Sequence, residues 1–424
     1  MRMIKVNFQQ IKRSKIPAVV WLVTISTFIA ALGDFSFLGR SMAGWAWVFP
    51  LIISIFIILR RVSQNTFPIH IWLPWICIVI IYLSGSRFSY LQRGVMLLCP
   101  VIVGTAVSAF HIREIQVRGF LELIRLFVLG FFIMVIIKSG LLFTGILPHA
   151  IGFAPQSTTA ALLCAIFAVG YSIKRKTDLY LWIMGLAIPV IGLTRMAIIA
   201  AGVTIPFTFA SLKIKKRLVL LTIIATMSVA LFYTERVQRK MFYSGTGTLQ
   251  DLRLSNPDFF TTGRSSLWDY MIEEIKESPF WGHGANASEE FVFSVTWGTL
   301  THPHNDWLRL LYDYGLVGTS AFAFCLVAQV IHLLKRAKRT FGESRILLYA
   351  GASSFLPFVL LMFTDNIILY AAFFGNLQFT IVGLVYAAQK TQEVDAWRYF
   401  RMSSNNTPQH FSHPSKTLFG QQKS

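Results

Sequence analysis

Apolar stretches of about 17–20 residues recur along this chain, each long enough to cross a hydrocarbon core of roughly 30 Å. They fall near 16–33, 43–59, 67–84, 94–110, 119–138, 157–173, 178–193, 195–211, 217–233, 315–334, 346–364 and 367–388. Backbone groups in lipid must pair within their own segment, so the expected fold is all-α, a polytopic membrane protein with about 12 transmembrane helices. The composition agrees. The chain is 54% hydrophobic and 14% charged, with a mean hydropathy of +0.58, against about 25% charged residues in a soluble domain. The first run follows Arg2, Lys5, Lys12, Arg13 and Lys15 and so has the outline of a signal peptide. The many spans after it favour an uncleaved first helix.

A net charge of +20 is compatible with nucleic-acid binding, but its distribution argues otherwise. With the N-terminus inside, the inner segments hold roughly 26 of the 39 Lys and Arg residues. They include Arg60-Arg61, Lys174-Arg175-Lys176, Lys213 to Arg217 and Lys335 to Arg339, while alternate loops are nearly bare. This bias sets orientation and attracts anionic headgroups; it gives no reason to expect a nucleic-acid partner. Cys77, Cys99, Cys164 and Cys325 all lie inside apolar runs without metal-ligand spacing, and read as small packing residues.

The expected organisation is a basic cytoplasmic N-terminus over 1–15, helices 1–9 over 16–233, and one large extracytoplasmic loop over 234–306 between helices 9 and 10. An interfacial helix and helices 10–12 follow over 307–388, then a disordered cytoplasmic tail over 389–424, rich in Ser, Asn, Gln and Pro. The large loop mixes both signs of charge, unlike the inner loops. One helix is readable in it. Leu267, Met271 and Ile275 repeat at helical spacing, with Thr262 as N-cap and Pro279 as a stop. Arg264 then lies in the first turn, where free N–H groups, the helix dipole and a guanidinium suit a phosphate. A surface arginine at a helix start is the simpler alternative.

Arg195 opens an apolar run with no acidic residue nearby. A charge at this depth must snorkel, pair or face water. The densest polar motif is His302-Pro303-His304-Asn305-Asp306-Trp307, running on to Gly315 and Gly318. Asn305 or Asp306 suits an N-cap for the helix from Trp307 to Tyr314, with Gly315 as its stop. His304 just before that helix has the chemistry to take a proton from a sugar hydroxyl. His302 and His304 could instead hold a metal with His283 or Glu289, or serve only as loop and cap residues.

The order of these motifs resembles the O-antigen ligase and O-antigen polymerase superfamily. The resemblance rests on His304-Asn305-x-x-Leu308 with Gly315-x-x-Gly318, on Thr262-Gly263-Arg264 with Trp268, on Pro279 with Gly282-His283-Gly284, and on Thr194-Arg195. It spans roughly 150–385. It implies a metal-independent, inverting membrane glycosyltransferase without a cofactor, in the bacterial inner membrane with its active site on the periplasmic face. Undecaprenyl diphosphate would carry the donor glycan. The acceptor would be a lipid A-core sugar for a ligase, or a second lipid-linked repeat unit for a polymerase of O-antigen or exopolysaccharide. By matched position Arg195 and Arg264 would hold the diphosphate and His304 would deprotonate the acceptor, with His302, Asn305 and Asp306 in support. A single dominant late loop resembles the ligase layout. A solute transporter is a different class of reading; Arg125, inside a span, and Asp365-Asn366, at the outer end of one, are where it would be tested.

Overall fold

The computed structural model describes residues 7–32, 36–37, 40–84, 88–144, 153–253, 255–256, 258–259 and 264–405. Apart from a two-residue antiparallel pair, Ser36–Phe37 with Arg40–Ser41, its regular structure is helical. The first half contains α1 (Phe8–Ser14), α2 (Ala18–Leu32), α3 (Met42–Trp45), α4 (Val48–Arg61), α5 (Ile69–Ser84), α6 (Phe88–Ser108), α7 (Glu114–Phe143), α8 (Ala154–Ser172) and α9 (Lys176–Ile191). The second half contains α10 (Arg195–Gly202), α11 (Ile214–Phe232), α12 (Glu235–Met241), α13 (Arg264–Ile275), α14 (Ala287–Val295), α15 (Asp306–Ala337), α16 (Gly342–Ser353), α17 (Phe355–Leu361) and α18 (Asn376–Asn405).

Among the described residues, six helices are long and apolar enough to cross a membrane, or seven if the bent pair α11–α12 counts as one. The expectation was about twelve. The difference has a local cause: several apolar runs form short helices. Those at α2, α4, α5 and α9 reach only 15, 14, 16 and 16 residues. The run 195–211 becomes the eight-residue α10, which stops at Gly202 before turns that contain Pro206. The run 346–364 does give a span, Gly342–Leu361, made of α16 and α17 in succession.

Two helices form the centre. The span Ala371–Gln392, most of it α18, is buried along its length, and α8 is almost fully enclosed. The backbones of α6 and α18 touch at Gly104 and Gly383, where an added Cβ would meet a backbone oxygen at 3.0 and 2.4 Å. Small residues are the usual means of such close approach between apolar helices. Outward faces stay apolar, as at Phe49, Ile52 and Phe56 of α4 and Leu218, Val219 and Met227 of α11. Lipid is the solvent those faces suit.

Among the described residues, the segment 234–306 contains three α-helices, α12, α13 and α14, where the sequence shows one. The apolar stripe of α13 buries Leu267 and Met271 against Val292, Leu308 and Tyr312, making a second, small core outside the bundle. Thr262 lies outside the described residues. Asn305 caps α15, its Oδ1 accepting Leu308 N–H at 3.0 Å. Gly315 ends the first stretch of that helix, as its sequence position suggests. It breaks it at φ 61°, ψ −168°, and the helix resumes. The loop 279–284 enters the break. Leu316 and Val317 N–H donate to Pro279 and Phe280 carbonyls at 2.8 and 3.1 Å, and His283 and Gly284 N–H donate to Tyr312 and Asp313 carbonyls at 2.8 and 3.0 Å. The chain thus replaces lost helical bonds with loop bonds. The expected tail is also shorter: α18 continues to Asn405, past residue 388, and 406–424 lie outside the described residues.

Candidate functional site

A cavity of about 1420 Å³ opens where the end of α7, the α9–α10 break, α12, α13 and the start of α15 converge. Arg195, Arg264 and His304 all line it, as do Asn305, Asp365 and Tyr370. Its other walls are apolar, with Leu142, Phe143, Phe153, Ile191, Met196 and Ile199. It lies at the end of the bundle remote from the basic turn Lys174–Lys176, because α8 leaves that turn for Phe153 and α9 leaves it for Ile191.

The α9–α10 break presents Arg195. Thr194 N–H donates to Pro189 carbonyl at 3.0 Å, and Thr194 Oγ1 donates to Ser157 Oγ at 3.0 Å. Arg195 is therefore the first residue of α10. Leu193, at φ 48°, turns its carbonyl to Lys240 Nζ at 2.9 Å. Lys240 and Arg236 stand on one face of α12, which bends 78° from α11 at the cavity mouth. Lys240 lies close enough to Arg195 and Arg236 to be repelled by both, and Arg195 is repelled by Arg264. Four cations crowd one region, an arrangement that an anion relieves.

Arg264 opens α13 and donates from Nη1 to the Thr364 carbonyl at 3.2 Å. Burial pulls its pKa down, while Asp365 and Tyr370 oppose that pull. Trp268, one turn on, donates from Nε1 to the Pro303 carbonyl at 2.8 Å. The same helix thus fixes both Arg264 and the loop that carries His304.

His304 adopts φ 53°, uncommon for a residue with a side chain. Its N–H donates to Asn366 Oδ1 at 3.1 Å, which fixes the Asn366 amide so that Nδ2 faces His304 Nδ1, also at 3.1 Å. Nδ1 therefore accepts, and the neutral ring carries its proton on Nε2. Asp365 Oδ1 stands 3.8 Å from Nδ1 and accepts the Tyr370 hydroxyl at 2.6 Å. Burial, and then Asp365, push the Tyr370 phenol well above its ordinary pKa, so it remains a donor.

The other candidates separate. Asn305 lines the cavity as well as capping α15. Asp306 is fully buried and latches the chain: Oδ2 accepts Ile368 N–H at 2.9 Å and its own N–H donates to Met362 carbonyl at 2.7 Å. His302 turns to Glu289 at 3.1 Å, where Arg309 and Arg93 also approach at 2.6 and 3.2 Å. Burial alone would raise the Glu289 pKa; the His302 hydrogen bond, Arg309 and Arg93 override it and hold the carboxyl well below its usual range. His283 Nε2 lies 3.0 Å from the Glu274 carbonyl, and its ring stacks on Tyr312. The three histidines thus face three different partners, and no group of three metal-ligating side chains forms among the described residues. Arg125 is an interhelical tie, bonded to Glu122 at 2.6 Å and to Asp178 of α9 at 2.8 Å.

Arg236, Lys240 and Tyr370 have no role in the sequence motifs, and Asn366 entered them only beside Asp365 as a place to test transport. The spacing of Arg236 and Lys240, four apart just beyond an apolar run, is nevertheless a usable signal for one helical face.

Residues 179–323 match the family model for O-antigen ligase. No curated protein matches the chain. The matched segment holds Arg195, Arg264 and His304, while Asp365, Asn366 and Tyr370 fall beyond it. Over that segment the chain is similar to O-antigen ligases, and its long apolar helices are those of a multi-pass membrane protein. The family implies a glycosyltransferase-like enzyme that works on lipid-linked glycans.

Proposed function

We propose that the protein transfers a glycan from undecaprenyl diphosphate to a sugar hydroxyl, within this cavity and on the outer face of the inner membrane. The observation that carries the reading is the cavity's division. Arg195, Arg236, Lys240 and Arg264 share its polar lining with His304 and Asp365, and apolar walls complete the space. A diphosphate on an isoprenoid chain has the same division.

The acceptor hydroxyl attacks the anomeric carbon from the face opposite the diphosphate, which inverts that centre. The new C–O bond forms as the bond to the phosphate oxygen breaks, and the diphosphate leaves with the electron pair. Preorganised guanidinium groups stabilise that charge in the transition state. The acceptor proton passes to the His304–Asp365 pair. Transfer to Nε2 requires the resting ring proton to move to the Nδ1 side, where Asp365 is the nearest anion. Asn305 contributes to the wall beside His304, while His302 and Asp306 hold the loop on either side of it.

The acceptor is taken to be a lipid A-core sugar, as for a ligase; a polymerase would use a second lipid-linked unit. The test is purified protein given a lipid-diphosphate oligosaccharide, alone and with a lipid A-core acceptor. Product only with the second lipid supports ligation, and chain growth without it supports polymerisation. No product in either, from protein shown to be folded, defeats the glycan-transfer reading.

A further inference from the structure

At the end of the bundle remote from the Arg195–Arg264–His304 cavity, a second hollow of about 570 Å³ lies between the end of α15 and the middle of α18. Lys335, Arg336, Lys338, Arg339, Gln389 and Gln392 line it. We propose that it binds the phosphate of an anionic phospholipid.

The guanidinium of Arg336 is held in place without being neutralised. Nη1 donates to Gln389 Oε1 at 2.8 Å, Nε donates to His332 Nε2 at 3.4 Å, and the group sits 5.5 Å over the Tyr386 ring. His332 is fixed in turn, with Nδ1 2.7 Å from the Tyr386 hydroxyl. Some other arginines at this end of the bundle meet carboxylates: Arg125 meets Glu122 and Asp178, and Arg175 and Arg118 meet Glu343. Among the described residues, no carboxylate pairs with Lys335, Arg336, Lys338 or Arg339. The hollow has four cations and a neutral floor, and no counter-ion among the described residues, so a phosphate fits its chemistry.

A neighbouring surface argues that the phosphate belongs to a lipid. Phe324, Val327 and Ile331 of α15 are exposed at 60, 59 and 46%. At spacings of three and four they form one stripe, which leads along the helix to Lys335 and Lys338. Phe341, 73% exposed, stands on the rim. An acyl chain along that stripe delivers its headgroup to the lysines. Basic hollows between membrane helices are recurrent sites for such headgroups.

The experiment is native mass spectrometry of the full-length protein with phosphatidylglycerol, phosphatidylcholine or inorganic phosphate. Phosphatidylglycerol is expected to remain bound about ten-fold more tightly than phosphatidylcholine, and millimolar inorganic phosphate is expected not to displace it. Lys335→Gln with Lys338→Gln should weaken retention by roughly five-fold per lysine. Both side chains are exposed, so the variant should keep the wild-type unfolding temperature. Lys215→Gln with Lys216→Gln removes equal charge elsewhere and should change nothing. Equal loss in that control, equal retention of the two lipids, or displacement by inorganic phosphate would each overturn the proposal.

Discussion

At the scale of single residues, an ionisable group in an oily chain is conspicuous because it is costly to keep there. That is why Arg195, inside an apolar run, stands out in the amino-acid sequence, while Arg264 and His304 draw notice through the motifs around them and through their order along the chain. Their shared cavity is a matter of geometry; their roles make predictions. His304→Ala should lower transfer by about 10²–10⁴-fold, the usual weight of a general base, with the protein still in the membrane. Wild-type surface glycan in that variant would sink the assignment. Arg264→Lys should lose about 10²–10³-fold, because a point charge does not reproduce a preorganised planar donor. Asp365→Asn keeps the shape and removes the anion beside Nδ1. It should lower kcat with little change in KM, and an unaltered kcat would take Asp365 out of the proton's path. The Asn366 contact could not be read from the sequence. It joins positions 304 and 366 through a backbone bond, and no local periodicity records that.

At the scale of elements, the amphipathic repeat of α13 was readable because burial on one face leaves a period in the sequence. The short helices α12 and α14 leave too few turns for such a period. The break in α15 was half-visible. Gly315 marks a place where a helix cannot simply continue, but only the inserted loop explains how the chain goes on. An added Cβ on Gly315 would stand 2.3 Å from Phe280 O, at φ +61°; on Gly284, at φ +110°, it would meet nothing within 4 Å. Gly315→Ala should therefore lower the unfolding temperature more than Gly284→Ala, which bears only a backbone strain of about 1–3 kcal/mol. Equal shifts would mean the loop does not grip the break. Glu289 ties α14 to α6 and α15 through Arg93 and Arg309. Its folded pKa is depressed, so its stabilising contribution is complete above the free glutamate value of about 4.3 and declines as pH falls below it. Hydrogen exchange across 287–309 should accelerate in that acid range for the wild type. In Glu289→Gln it should already be fast at neutral pH and respond less to acid.

At the scale of the whole molecule, class and direction come from different features of the sequence. Hydropathy gives an all-helical membrane protein, because lipid forbids unpaired backbone. It overcounts long helices, because an apolar run also suits a short buried helix such as α10, whose Ala197, Ala200 and Ala201 are fully enclosed. Direction comes from charge. The basic turn at Lys174–Lys176 and the last turn of α15, with Lys335 and Arg336, lie at the opposite end from the cavity. If basic ends face the cytoplasm, the cavity opens on the outer side. Cys77 is the one exposed cysteine among the four, so a Cys77→Ser background gives a nearly silent chain for labelling. In that background, Thr299→Cys in the exposed turn before His302 should react with a membrane-impermeant maleimide added to spheroplasts. Lys338→Cys should react only after the membrane is opened. The reverse pattern would put the cavity on the cytoplasmic side, away from a lipid-linked glycan already carried across the membrane, and the transfer reaction could not occur where it is proposed.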